Sequence, residues 1–253
     1  MQQVLFRRME TLRMRLDVAL IERGIFESRT RAQRAVSEGC ITVNGRVVTK
    51  ASFDVSDTDA VVSSGDPLPF VSRGGLKLQG AIESFNLNLN GVSAIDIGAS
   101  TGGFTEVLLN YGAKDVVAVD VGHGQLAPEI ASDARVLNLE GTDFRNLPDD
   151  EFLSRFDFAC SDVSFISVTF LLPKMYSVLK ENGRAVVLIK PQFESDTRRV
   201  GKRGIVRDEK ARRRAVEKVE SCAEMCGFEV KRIIESPITG GDGNVEYLMY
   251  AVK

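Results

Sequence analysis

The stretch that decides the fold is Asp96-Ile97-Gly98-Ala99-Ser100-Thr101-Gly102-Gly103-Phe104. It follows the apolar run Val92–Ile97 and leads into the helical stretch Phe104–Asn110, so it predicts a glycine-rich turn between a buried strand and a helix. Glycines let the backbone of such a turn approach a ligand, and the helix N-terminus attracts anionic groups. The turn is therefore typical of a nucleotide-type cofactor site. Ser at position 100 breaks the G-x-G-x-x-G pattern of dinucleotide-binding proteins and argues against an NAD site.

Further strand-like and helical segments alternate on the C-terminal side of this turn. Strands are predicted at Val116–Asp120, Phe156–Cys160 and Ala185–Ile189, and helices at Val168–Leu179 and Lys210–Cys226. Such alternation predicts an α/β domain in which a mostly parallel sheet is covered by helices on both faces. Ligands of these sheets bind beyond the carboxyl ends of the strands.

Acidic residues stand where two of these strands end. Asp120 closes a strand about 20 residues after the glycine turn, where a carboxylate can accept hydrogen bonds from ribose hydroxyls. Asp143 follows the short apolar run Val136–Leu139 and could receive an adenine amino group, although a helix cap explains it equally well. His123 lies in the loop after Asp120, and a loop-lining role is favoured over that of a base.

The glycine turn and the two acids together resemble the S-adenosylmethionine site of the Rossmann-like methyltransferases. A cationic sulfonium requires carboxylates nearby, and Asp96 is a candidate for this role beside Asp120. The resemblance implies S-adenosylmethionine as the cofactor. The cofactor-binding candidates are Asp96, Gly98, Ser100, Gly102, Gly103, Phe104, Asp120 and Asp143.

Four charged residues stand where a methyl acceptor would bind. Lys77 follows Ser72-Arg73-Gly74-Gly75, Asp162 and Lys190 close two strands, and Glu246 follows Gly243-Asn244-Val245. Taken singly, each has a simpler interpretation as a helix cap, a surface ion pair or a solvated strand end. Jointly they resemble the Lys-Asp-Lys-Glu tetrad of the FtsJ-like ribose 2′-O-methyltransferases, which implies catalytic roles for Lys77, Asp162, Lys190 and Glu246.

A ribose 2′-hydroxyl is a poor nucleophile until its proton is withdrawn or its developing charge is stabilised. We expect Lys190 to activate this hydroxyl, Asp162 to orient Lys190, and Lys77 with Glu246 to complete the network. No metal or covalent intermediate is required. Methylation of a base amino group is disfavoured because no Asn/Asp-Pro-Pro-aromatic turn follows the fourth strand, and Cys160 is interpreted as a core residue rather than a nucleophile.

The N-terminal part predicts a small α+β domain. Leu16, Ala19 and Leu20 recur at helical spacing, and Ser28 is a good N-cap for a second helix. The Asn44-Gly45 dipeptide within alternating residues predicts a hairpin. We place this domain at residues 14–66, a linker at 67–72 and the methyltransferase domain at 73–253.

The order Arg15-Leu16-Asp17, Ser28-Arg29, Gly39 and Val43-Asn44-Gly45 resembles the alpha-L RNA-binding motif of a ribosomal protein. Arginines on a helix are also common on a merely solvated surface. The resemblance implies phosphate contacts to RNA. A polar loop after Lys190 is expected to close over RNA, with a solvated loop as the alternative. The RNA-binding candidates are Arg15, Arg29, Arg31, Arg34, Arg46, Arg199 and Lys202.

The two domains in this order resemble the TlyA (haemolysin A) family across nearly the whole chain. This resemblance implies 2′-O-methylation of cytidines in ribosomal RNA, with ribosomal subunits as partners. The sequence departs from the family pattern at two positions: His123 replaces an aromatic residue often found there, and Phe70 stands where related linkers carry Trp or Tyr. The family's second name leaves a membrane-lytic protein as an alternative, and a non-catalytic ribosome-assembly factor is another.

Composition limits the remaining classes of function. The net charge of −2 argues against a uniformly basic surface, although the N-terminal fifth taken by itself is basic. No apolar run approaches the roughly 20 residues that cross a bilayer, and no signal peptide is evident. The four cysteines form no CxxC pair and there is one histidine, which argues against a zinc site. We expect a cytoplasmic protein without a metal or membrane partner.

Overall fold

The computed structural model describes residues 13–26, 28–64, 70–195 and 204–253. The chain divides into two compact units, Met1–Pro69 and Phe70–Lys253. The second unit thus begins three residues before the expected boundary at 73, because Phe70 is buried in the same cluster as Leu78 and Phe104. Half of the expected linker, residues 67–69, and the RNA-binding candidates Arg199 and Lys202 lie outside the described residues.

The first unit is a small α+β domain. Its elements are β1 (Arg13–Arg15), α1 (Leu16–Glu22), α2 (Arg29–Ser37), β2 (Ile41–Val43), β3 (Arg46–Val47), β4 (Asp54–Ser56) and β5 (Val61–Ser63). The strand β2 lies between β3 and β5, while β1 pairs with β4. Ser28 caps α2 by accepting a hydrogen bond from the Arg31 amide, as its sequence position predicts.

The hairpin between β2 and β3 has the expected turn. Asn44 and Gly45 have φ values of 51° and 77°, the left-handed conformation that this type of turn requires. The side chain of Asn44 also bonds to the Ala60 amide and the Asp59 carboxylate, which ties the turn to the segment before β5. Leu16, Leu20 and Ile41 are fully buried beneath this framework.

The second unit contains a seven-stranded sheet in the order β11-β12-β10-β9-β6-β7-β8. The strands are β6 (Ser93–Ile97), β7 (Asp115–Asp120), β8 (Val136–Glu140), β9 (Phe156–Ser161), β10 (Leu179–Ile189), β11 (Glu229–Glu235) and β12 (Tyr247–Val252). The strands β6 to β10 are parallel, whereas β12 runs antiparallel to both β10 and β11. This arrangement confirms the predicted mostly parallel sheet and adds the antiparallel pair β11 and β12.

Helices cover both faces of the sheet. They are α3 (Gly74–Phe85), α4 (Gly103–Asn110), α5 (Pro128–Ala131), α6 (Asp149–Phe152), α7 (Leu172–Val178), α8 (Pro191–Glu194) and α9 (Glu209–Met225). One buried cluster joins α3 and α4 to the sheet, and a second joins α7 and α9 to its other face. Every residue of β6 is buried as a result.

The predicted helix Val168–Leu179 differs from the observed structure. A 3-10 turn occupies Val168–Phe170, and α7 begins only at Leu172. Pro173 stands in the first turn of α7, where its missing N–H costs nothing, and so favours a helix start at this point. Leu179 already belongs to β10.

The described ranges contain neither a membrane-spanning helix nor a metal-binding cluster. None of their helices is both long enough and apolar enough to pass through a bilayer. Within the same ranges, no group of three or more His, Cys, Asp or Glu residues is arranged to hold a metal ion.

Candidate active site

The candidate site lies where the parallel strands end. Gly98 follows β6, Asp120 ends β7, Asp162 follows β9 and Lys190 follows β10. Because parallel strands end at the same edge of a sheet, these residues converge there. The strand β12 runs antiparallel to β10, and its first residue, Tyr247, pairs with Ile189. Glu246, the residue before β12, therefore lies at the same edge of the sheet.

The glycine turn is packed too closely for side chains at two positions. A Cβ atom on Gly98, whose φ is 82°, would lie 2.9 Å from both the Asp162 carbonyl oxygen and Val163 Cγ1. A Cβ atom on Gly103 would collide with the Ser72 hydroxyl. The turn is therefore pressed against two neighbouring segments, which explains why glycine stands at these positions.

Two cavities meet at this turn, with volumes of about 290 and 490 Å³. Lys77, Lys190 and Phe104 line the smaller cavity, while Asp120 and Asp143 line the larger one. The walls that the two share are Gly98, Ser100, Asp162 and Ser164. The site thus has one compartment with lysines and another with the strand-end acids, joined beside the glycine turn.

Most of the predicted cofactor-binding residues line these cavities. Gly98 and Ser100 line both, and Gly103 and Phe104 line the smaller. Gly102 lines neither, because its left-handed backbone begins α4 and faces Leu126 and Ile130.

Asp96 departs from the expectation of direct cofactor contact. Its side chain is fully buried and lines neither cavity. Thr105 donates a hydrogen bond to its carboxylate at 2.7 Å, and the Cys160 thiol lies 3.8 Å away. Burial raises the pKa of Asp96 to about 7. Asp96 therefore joins β6 to α4 within the domain core. Burial likewise raises the pKa of the Cys160 thiol, in agreement with its interpretation as a core residue.

The two strand-end acids are held in different ways. The carboxylate of Asp120 accepts hydrogen bonds from the amides of Ser100 and Gly122, each at 2.8 Å, and so fixes the glycine turn to the loop after β7. Asp143 caps the turn Phe144–Asn146 and pairs with Arg145 at 2.6 Å, which lowers the pKa of the Asp143 carboxyl. Asp143 thus acts as a cap and also lines the cavity, so its two interpretations are compatible.

The four candidate catalytic residues form one continuous chain of contacts. The Lys77 ammonium lies 2.8 Å from the Glu246 carboxylate and 3.3 Å from Asp162 Oδ2. The other oxygen of Asp162 lies 2.6 Å from Lys190 Nζ. Asp162 thus bridges the two lysines. Only 9% and 10% of the Lys77 and Lys190 side chains are exposed, so both ammonium groups are largely withdrawn from solvent.

Two neighbours of Lys190 were not singled out from the sequence. The Lys190 ammonium donates a hydrogen bond to Ser164 Oγ at 2.7 Å. The next residue, Phe165, has a φ of 65° and 93% of its surface is exposed at the wall of the larger cavity. Its ring centroid lies 5.4 Å from that of Phe193. An exposed aromatic in a left-handed conformation is uncommon, and only the three-dimensional arrangement makes it conspicuous.

The arginines of the first unit are arranged around one buried acid. Arg15 and Arg29 both pair with Asp17 at 3.0 Å, and Gln33 donates a further hydrogen bond to the same carboxylate. The Asp17 side chain is fully buried, whereas about half of each arginine side chain is exposed. Arg31 and Arg34 are half-buried on α2, and Arg46 is exposed on β3. Arg15 and Arg29 are thus brought together.

Comparison with known families accounts for both units. The FtsJ-like methyltransferase model matches residues 70–253, and the S4 domain model matches residues 14–61. The chain is 41% identical over 239 residues to the 16S/23S rRNA (cytidine-2′-O)-methyltransferase TlyA of Mycobacterium tuberculosis, which covers 94% of this chain and 89% of that protein.

Solved structures give the same result. A protein described as a hemolysin from Streptococcus thermophilus is 41% identical, with a TM-score of 0.74 over 95% of this chain and 88% of its own. A protein described as an S-adenosylmethionine-dependent methyltransferase from Listeria monocytogenes is 16% identical, has a TM-score of 0.56, covers 72% of this chain and 99% of its own, and shows a shared fold only. These matches confirm the resemblance seen in the sequence. The chain belongs to the FtsJ-like methyltransferase family and carries an S4 domain before its methyltransferase domain.

Proposed function

We propose that this protein transfers the methyl group of S-adenosylmethionine to the 2′-hydroxyl of a cytidine ribose in ribosomal RNA. Its family is one of methyltransferases, and a relative that matches 94% of the chain is named for this reaction. One observation carries the proposal. Lys77, Asp162 and Lys190 line the same cavity as the glycine turn, so an acceptor hydroxyl and a methyl donor can meet there.

The residues around the turn fit S-adenosylmethionine. Gly98 lines both cavities and carries no side chain, so its backbone can lie against the cofactor. Asp120 and Asp143 line the larger cavity and offer carboxylate oxygens to ribose hydroxyls and to an adenine amino group. When bound, the cofactor supplies an electrophilic methyl carbon. The protein's task is then to place the acceptor oxygen in line with it and to manage one proton.

Positioning of the acceptor and handling of its proton fall to the charged network, which consists of Lys77, Asp162, Lys190 and Glu246. Lys190 either accepts the hydroxyl proton as a neutral amine or, as an ammonium, stabilises the oxygen as its negative charge develops. Ser164 accepts a hydrogen bond from the Lys190 ammonium at 2.7 Å, and Asp162 forms an ion pair with it at 2.6 Å, so the two residues fix its direction. Lys77 adds a second positive charge nearby, and Glu246 holds Lys77 in place at 2.8 Å. Positioning of this kind contributes several kcal/mol to catalysis, on the order of 7 to 11 in favourable cases.

The S4 domain supplies affinity for the RNA rather than chemistry. Arg15, Arg29 and Arg46 expose guanidinium groups that pair with phosphates, and such contacts bind RNA without reading its sequence. We propose that ribosomal RNA is met within ribosomal subunits, in the cytoplasm. The segment with Arg199 and Lys202 is proposed to touch the same RNA beside the active site.

The test is to incubate the protein with S-adenosylmethionine labelled in its methyl group and with ribosomal subunits that lack the modification. Label should appear in ribosomal RNA, and the modified ribose should resist alkaline hydrolysis at a cytidine. Label on a base, or no label in either subunit, would contradict the proposal.

Lys190→Ala separates an enzyme from an assembly factor. An enzyme loses methyl transfer while its RNA affinity stays within about threefold, because Lys190 lies in the cavity of the second unit. A factor that acts only by binding would support ribosome assembly equally well with and without Lys190. The hemolysin name of one solved relative makes a leakage assay with dye-loaded vesicles the appropriate control, and we expect no leakage.

A further inference from the structure

Two loops form the acceptor side of the cavity. The first, residues 162–168, carries Asp162, Ser164 and Phe165, and the second runs from Lys190 through α8 to Glu194. They touch at the Lys190 end through ion-pair and hydrogen-bond contacts and in the middle through Phe165 and Phe193. A third contact, at the far end, is made by the Glu194 carboxylate.

Glu194 is a buried acid without a place in the reaction. Only 2% of its side chain is exposed. One oxygen accepts a hydrogen bond from the Val168 amide at 2.7 Å, and the other accepts one from the Ser167 hydroxyl at 2.5 Å. Lys218 of α9 pairs with the second oxygen at 3.0 Å, and about half of the Lys218 side chain is exposed. The carboxylate therefore reaches across from the second loop and bonds to the backbone and side chain of the first.

A buried carboxylate is costly unless its oxygens are fully paired, so a link of this kind persists only when its geometry is well determined. The two hydrogen bonds fall at the start of the 3-10 turn Val168–Phe170, where amides have no partner within the turn. Glu194 thus acts as a cap for a turn that belongs to a different segment. The distance between the two loops is set by the length of its side chain.

We propose that Glu194 is a positioning residue for methyl transfer, which fixes the loop bearing Ser164 and Phe165 relative to the Lys190 ammonium. The inference rests on the proposed role of Lys190. Glu194 acts through the loops and touches neither cavity wall. Its loss changes the rate of the chemical step, because a displacement of about 1 Å at a reacting group can cost about 100-fold in rate.

The test compares three variants in single-turnover methyl transfer to ribosomal subunits. Glu194→Gln keeps the length, with one oxygen for the Val168 amide and a donor for Ser167, so its rate should stay within about threefold of the native rate. Glu194→Asp keeps the charge but is one methylene shorter, and its rate should fall about 10- to 100-fold. Glu194→Ala should be at least as slow as Glu194→Asp. Affinity for S-adenosylhomocysteine should change less than threefold in all three.

Lys218→Met is the matched control, because it removes the ammonium of α9, with its bonds to Ser167 Oγ and the Glu194 carbonyl, and leaves both hydrogen bonds that the Glu194 carboxylate accepts from the first loop. Its rate should remain within about threefold of the native rate. If Glu194→Asp transfers methyl as fast as Glu194→Gln or faster, charge rather than reach is what matters, and the inference is overturned. The proposed function fails separately, since it requires Lys190→Ala to be inactive whatever the Glu194 variants do.

Discussion

The two units differ in how far the positively charged partners of their ion pairs are exposed to solvent. In the S4 domain, one carboxylate, that of Asp17, is fully buried, and the two arginines around it are about half exposed. In the methyltransferase domain, Lys77 and Lys190 are only about one tenth exposed and face a cavity, and Glu246, the partner of Lys77, is buried with them. The first arrangement presents positive charge to solvent, and the second withholds it from solvent.

The difference shows how the same kind of ion pair serves binding in one unit and chemistry in the other. Exposed guanidinium groups are screened by salt and suit the many weak phosphate contacts of RNA. Ammonium groups in a cavity interact with a bound hydroxyl in a medium of lower dielectric constant, where each contact is stronger. The exposed arginines of the S4 domain therefore suit RNA binding, and the buried lysines of the methyltransferase domain suit methyl transfer.

The largest effect is expected for Asp162→Ala, which removes the carboxylate shared by the two lysines. Lys190 then loses the partner that fixes its direction, and the rate of methyl transfer should fall about 100- to 10,000-fold. Single-turnover transfer to ribosomal subunits measures this loss. A rate within tenfold of the native rate would show that Lys77 and Lys190 do not depend on the Asp162 carboxylate for methyl transfer, and would contradict this prediction.

The pH dependence of unfolding gives the next largest effect. The pKa of Asp96 is about 7 in the folded protein and near 4 when unfolded, so the folded state retains a proton that the unfolded state has lost between these values. Stability should decline as pH rises from about 4 to 7, by on the order of 4 kcal/mol. Urea unfolding at several pH values should show this decline in the free energy of unfolding for the native protein and not for Asp96→Asn. Parallel pH profiles would contradict the assignment.

Asp17 should behave in the opposite sense. Hydrogen bonds from Arg15, Gln33 and Arg29 lower the pKa of Asp17, so its contribution is complete above about pH 4 and is lost as pH falls toward the lowered folded value. Asp17→Asn should destabilise the S4 domain by about 2 kcal/mol at pH 7 and by less in acid. Hydrogen exchange of the amides in α1 measures the change. Equal protection in variant and native protein at pH 7 would show that the buried Asp17 carboxylate does not stabilise the S4 domain.

The smallest effect is expected for a surface ion pair. Asp149 lies 2.6 Å from Lys174, but 72% of the Asp149 side chain is exposed. Asp149→Ala should change stability by at most about 1 kcal/mol and leave methyl transfer unaffected. This variant is the reference for the two buried clusters, since it shows what an ion pair contributes without burial. A loss as large as that of Asp17→Asn would show that burial is not the deciding factor.

The sequence predicts the parts of this site that follow from strand ends. Asp162 and Lys190 close apolar runs, and parallel strands bring such residues to one edge, so their convergence follows from topology. The Asn44-Gly45 turn is predicted for a local reason, because the dipeptide itself requires the observed backbone conformation. Both predictions depend on signals within a few residues.

Other features depend on contacts that the sequence does not contain. The strand β6 is buried on both faces, so no alternation of polar and apolar residues reveals which way Asp96 points. The strand β11 has no buried residue and its half-buried residues do not alternate regularly, so its periodicity gives no clear strand signal. Ser164 and Phe165 become visible only when their loop is seen against Lys190 and Phe193.

The strand β12 comes last among the described elements, yet it lies between β11 and β10 in the sheet. Glu246, the residue before β12, therefore lies beside Lys77 only when β12 occupies its place between β10 and β11. The charged network is therefore complete only when β12 is paired within the sheet, so competence to modify RNA depends on the pairing of this strand.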